Sequence, residues 1–60
     1  MANLTDTDLA MLREMARGRD TAGVEDFIAR VQSRLDERAA AGLEITKNVI
    51  RSCATAELAA

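Results

Sequence analysis

The segment VEDFIARVQSRLDERAAA, residues 24–41, carries the strongest periodic pattern in the chain. Its principal apolar residues recur at spacings of four, three and four: Val24, Ile28, Val31 and Leu35. At about 100° per residue, these spacings place the four side chains in a stripe roughly 60° wide along one face of a helix. Phe27 widens this apolar stripe on one side. The segment therefore predicts an amphipathic helix that buries the stripe against a neighbour.

Charged residues flank the apolar stripe on both sides. One flank carries Arg30 and Arg34, and the opposite flank carries Glu25 and Asp36. Arg38 falls within the stripe itself, where a helical bundle would have another apolar residue. An arginine in such a position is normally matched by a carboxylate of a partner, so the pattern favours a protein–protein interface. A solvated face and a phosphate contact remain the other two interpretations of these arginines.

The chain is short for a domain that folds alone. A chain of 60 residues buries only about 60% of its unfolded surface, which leaves a small margin of stability. It contains one cysteine and no histidine, so neither an internal disulfide nor a histidine-bearing metal site can supply the missing stability. We therefore expect two copies to associate. The expected interface consists of the residues Val24, Phe27, Ile28, Val31, Leu35, Arg38, Ile45 and Val49.

Composition and capping residues indicate an all-α fold, a hairpin or bundle of two to three helices completed by homodimerisation. Proline is absent and glycine occurs three times, so little opposes helix formation. Thr5 is a good N-cap for a first helix, and Asp8 can complete a variant of the capping box. This helix is predicted from about residue 6 to residue 17, ending at Gly18.

Gly42 separates two possible architectures. After the break at residues 18–23, a second helix is predicted at about residues 22–41. Gly42 can end that helix in a left-handed conformation, with a third helix at about residues 43–58. Alternatively, the heptad spacing continues through Gly42, so the second helix can extend to Leu58. The pattern leaves both arrangements open.

The inventory of side chains indicates no enzyme. Without histidine, the usual general base near neutral pH is missing, and capping or solvation accounts for the carboxylates. We therefore predict no catalytic residues, no metal and no cofactor. Cys53 is expected to be a small buried hydrophobic residue, with a redox role or an intermolecular disulfide as the alternative.

Two features bear on cellular location. No apolar run approaches the roughly twenty residues that cross a bilayer, and the N-terminus does not resemble a signal peptide. We expect a cytoplasmic protein without a membrane partner. The segment Leu58-Ala59-Ala60 resembles the end of the tag that bacterial cells add to stalled polypeptides for degradation by the Clp unfoldase-protease. This resemblance covers three residues and implies a bacterial protein whose level is controlled by degradation.

Nucleic-acid binding is the main alternative to protein binding. In a helix-turn-helix arrangement with Gly42 in the turn, Lys47, Asn48 and Arg51 would face a DNA groove. The net charge of −2 and the nearby Glu44 argue against it. The first prediction is thus a small cytoplasmic regulator or adaptor that binds itself and another protein. A DNA-binding regulator is second, and an accessory subunit of an enzyme complex is third.

Overall fold

The computed structural model describes residues 4–59, which form three α-helices and no strand. The helices are α1 (Asp6–Met15), α2 (Thr21–Ala40) and α3 (Lys47–Ala59). Each helix contacts the other two, and α2 and α3 share the largest contact. The predicted all-α helical bundle is confirmed, and the third helix is a separate element. No helix within these residues is long and apolar enough to cross a membrane. The tail motif ends at Ala60, outside the described residues.

The start of α1 has the predicted capping box. Thr5 Oγ1 accepts a hydrogen bond from the backbone N–H of Asp8 at 3.1 Å, and Asp8 Oδ2 accepts one from the backbone N–H of Thr5 at 3.2 Å. The two bonds satisfy donors that a helix start otherwise leaves unpaired. The helix ends at Met15, earlier than predicted, and Gly18 follows in the left-handed region with a φ of +96°.

Asp20 fixes the start of α2. Its Oδ1 accepts a hydrogen bond from the backbone N–H of Gly23 at 2.7 Å, so the helix begins at Thr21. This side chain supplies the acceptor that the exposed N–H groups of a first turn need. The connection between Met15 and Thr21 is short, which places the end of α1 beside the start of α2.

Gly42 ends the second helix. Its φ of +77° lies in the left-handed region, which glycine adopts without the steric cost of a Cβ. The N–H of Gly42 donates to the carbonyl of Ala39, and the N–H of Leu43 donates to the carbonyl of Arg38, both at 3.0 Å. This is the Schellman pattern of helix termination, which satisfies carbonyls that the last turn leaves free.

The third helix begins later than the pattern suggested. The Thr46 hydroxyl accepts a hydrogen bond from the backbone N–H of Val49 at 3.2 Å, which is the arrangement of an N-cap. The helix therefore starts at Lys47 rather than near Leu43. Residues 41–46 form a turn and an extended connection between α2 and α3.

The three helices enclose one core. Its buried members come from all three helices and from the residue that directly follows α1: Leu12, Ala16, Phe27, Val31, Leu35, Ile50, Cys53 and Ala54. Half-buried apolar residues pack around this core: Leu4, Met11, Met15, Val24, Ile28, Ile45, Val49 and Leu58. Cys53 is a free thiol and only 9% exposed, as expected of a small buried hydrophobic residue.

The surface area of the chain matches that of a compact monomer. The accessible surface is 4086 Å², and the usual scaling with mass gives about 3,800 Å² for a folded monomer of this size. The radius of gyration is 10.9 Å, close to the roughly 10.4 Å expected for a compact domain of this length. A single chain thus encloses its own core without a second copy.

Candidate functional site: two grooves beside the central helix

The structure divides the predicted interface residues between the core and the surface. Phe27, Val31 and Leu35 are 2%, 0% and 0% exposed, respectively, because they belong to a core shared with α1 and α3. In this fold they present no surface to a second copy. The other predicted interface residues are half-buried or exposed: Val24, Ile28, Ile45, Val49 and Arg38.

The arginines on the basic flank of α2 pair with carboxylates of the same chain. Arg30 Nε donates to Asp26 Oδ2 at 2.8 Å, one helical turn away. Arg34 Nε donates to Glu57 Oε1 at 2.6 Å and so connects α2 to α3. The hydrogen bond and the charge of Glu57 raise the pKa of Arg34 above its usual value. Both predicted basic residues therefore have partners within the monomer.

The acidic flank of α2 is less uniform than its sequence suggests. Asp36 is half-buried and accepts a hydrogen bond from Gln32 Nε2 at 2.9 Å. Glu25 is exposed near the start of the helix. The two acidic residues thus have different surroundings, and only Glu25 lies on open surface.

A groove extends along the junction of α2 and α3, and we call it the α2–α3 groove. It is lined by Arg34, Glu37, Arg38, Ala41, Leu43 and Cys53. A second cavity is lined by Arg19, Asp26, Phe27, Arg30 and Glu57. The Arg34–Glu57 ion pair connects the two, because Arg34 lines the groove and Glu57 lines the second cavity.

Leu43 gives the α2–α3 groove an exposed apolar side chain. It is 52% exposed, the one large hydrophobic residue within residues 4–59 that lies open to solvent. In a Schellman terminus, the residue after the glycine usually packs on an apolar side chain at the position that Arg38 occupies here. Because Arg38 is polar at its tip and exposed, Leu43 lacks the usual apolar cover.

Two arginines in these cavities have no carboxylate partner among the described residues. Arg38 lines the α2–α3 groove together with Leu43 and forms no ion pair with any other described residue. In the second cavity, the Arg19 guanidinium lies 5.9 Å from the centroid of the Phe27 ring, a cation–π distance. Of the two, only Arg38 therefore lies in the α2–α3 groove.

The residues predicted to contact DNA lie together at the start of α3. Lys47, Asn48 and Arg51 are all exposed, and their positions span about 100° of the helix surface. Glu44 is exposed just before them. The connection from α2 is longer than the three- or four-residue turn of a helix-turn-helix motif, and α2 has 20 residues. The three side chains lie on one side of α3, but the lengths of α2 and of its connection to α3 differ from those of a helix-turn-helix motif.

Neither comparison with known proteins nor metal chemistry adds a functional assignment. No protein-family model, curated protein or solved structure matches the chain. No group of three or more potential metal ligands occurs among the described residues. The surface beside α2 is therefore the candidate for a functional site.

Proposed function

We propose that this chain is a small helical regulator or adaptor that acts by binding another protein, without catalysis of its own. The α2–α3 groove is the observation that carries this proposal, because it combines the exposed Leu43 with Arg38, which has no ion-pair partner among residues 4–59. A single exposed leucine is ordinary on a protein surface. An apolar side chain beside an arginine in a concave surface has instead the composition of an interface centre. The partner would place an apolar side chain on Leu43 and a carboxylate on Arg38.

The proposal includes homodimerisation. Because a single chain encloses the core, association would use the margin of the apolar stripe, where Val24 and Ile28 are half-buried. Such an interface would form between two chains that each already enclose a core. The dimer would therefore form and dissociate with concentration, and the monomer would stay folded.

A DNA-binding regulator is the second candidate. The shared exposure of Lys47, Asn48 and Arg51 favours it, since these side chains can contact phosphates and base edges. The net charge of −2 counts against it. An accessory subunit of an enzyme complex is the third candidate, and it would use the same protein-binding groove as the first.

Affinity capture from the native host, at two salt concentrations, tests the first candidate against the second. We expect a stoichiometric protein to be retained by the unaltered chain and lost with either Arg38→Glu or Leu43→Asp. Arg51→Glu is the matched control for Arg38→Glu, because it makes the same charge change outside the groove. This variant should retain the protein. Capture of nucleic acid that is lost at high salt and with Arg51→Glu would favour the DNA-binding candidate instead.

A further inference from the structure

A second groove lies between α1 and the first half of α2, and we call it the α1–α2 groove. Its lining residues are Arg13, Arg19, Thr21, Val24, Glu25 and Ile28. Arg19 also lines the second cavity described above, where it stacks over Phe27. The α1–α2 groove shares no lining residue with the α2–α3 groove, so it is distinct from the surface proposed above for another protein.

The apolar stripe of α2 continues from the core into the α1–α2 groove. Val31 and Leu35, at one end of the stripe, are fully buried. Val24 and Ile28, at the other end, are half-buried and line the groove. These two side chains contact the core on one side and reach solvent on the other. Further association would complete their burial and extend the existing core.

Two of the three charged residues that line the α1–α2 groove have opposite charges and stand on opposite walls, while the third, Arg19, belongs to the connection between the helices and stacks over Phe27. Arg13 belongs to the α1 wall, and Glu25 belongs to the α2 wall. Both are exposed, and neither forms an ion pair with another residue of the described chain. A surface with opposite charges on its two walls can match a copy of itself under two-fold rotation, which is the condition for an isologous dimer.

We infer that the α1–α2 groove binds a second copy of this chain, with Arg13 of each protomer against Glu25 of the partner subunit. This inference depends on the homodimerisation proposed above and names its surface. A two-fold axis along the groove exchanges the two walls, so α1 of one protomer lies over α2 of the other. An axis across the groove would instead place Arg13 against Arg13 of the partner subunit, and that like-charge contact is unfavourable. The Arg13–Glu25 pairs therefore favour the first orientation, in which Val24 and Ile28 of both protomers face the shared groove.

Charge reversal tests this pairing, because the contact occurs twice in each dimer. We expect Arg13→Glu and Glu25→Arg each to raise the dimer dissociation constant about tenfold or more, as two attractive contacts become repulsive. The double variant Arg13→Glu/Glu25→Arg should return the constant to within about threefold of the original value. Sedimentation equilibrium over a range of concentrations measures all four proteins. Circular dichroism checks that each variant stays helical.

Arg51→Glu is the matched control, since it changes the net charge as Arg13→Glu does but lies on α3 outside this groove. It should leave the dissociation constant nearly unchanged. An unaltered chain that stays monomeric up to about 1 mM would overturn both the inference and the proposed homodimer. A dimer that is indifferent to charge reversal, or that the double variant does not restore, would overturn the inference and leave homodimerisation standing.

Discussion

At the scale of single residues, Arg38 explains how a charged side chain can lie within an apolar pattern. It occupies the last turn of α2, where the partial negative charge of a helix C-terminus stabilises a cation. The fold therefore does not require a carboxylate to compensate Arg38. Its guanidinium remains exposed beside Leu43, and it can bind a partner without first breaking an internal ion pair.

Two leucines near the end of α2 form a matched test of burial. Leu35 is 0% exposed and Leu43 is 52% exposed. Leu35→Ala should lower the free energy of unfolding by about 3 kcal/mol, because it removes buried apolar surface and leaves a cavity. Leu43→Ala should cost less than about 1 kcal/mol. Urea denaturation followed by circular dichroism measures both losses, and equal losses would contradict the burial assigned to these residues.

At the scale of elements, the features that the sequence could predict were those set by near neighbours. The Thr5 capping box depends on residues three apart, and the amphipathic face of α2 depends on spacings of three and four. The Thr46 cap is equally local, but the predicted start of the third helix was placed near Leu43 because that residue directly follows Gly42. The Arg34–Glu57 ion pair joins residues 23 apart, and only the packing of α2 on α3 brings them together.

Gly42→Ala tests whether the second helix ends at Gly42 or continues through it, because the two arrangements predict changes in stability of opposite sign. In the structure its φ is +77° and an added Cβ would meet no atom within 4 Å. Gly42→Ala should therefore destabilise the chain through backbone strain alone, by about 1–2 kcal/mol. Within one continuous helix, the same change would stabilise the chain by about 1 kcal/mol, because alanine is the better helix former. Thermal denaturation of the two proteins measures the sign.

At the scale of the whole molecule, the apolar stripe could not reveal which helix would cover it. A face of Val24, Ile28, Val31 and Leu35 has the same periodicity whether its cover comes from the same chain or from another copy. The small size of the chain favoured a second copy. In the structure, α1 and α3 pack on the stripe and bury Val31 and Leu35 together with the adjacent Phe27, while Val24 and Ile28 stay half-buried. What remains for association is its exposed end.

Because one end of the stripe is buried within a single chain, the stability of the fold should depend little on protein concentration. If the core needed a second copy, folding and dimerisation would be a single event, and a hundredfold dilution would cost about 2.7 kcal/mol of apparent stability. Because each chain encloses its own core, we expect the denaturation midpoint to change far less when the protein is diluted from about 100 µM to about 1 µM. The dimer should dissociate over that range or above it, while the helical circular dichroism persists. A midpoint that falls with dilution as steeply as an obligate dimer requires would show that the three helices of one chain do not form a stable core alone.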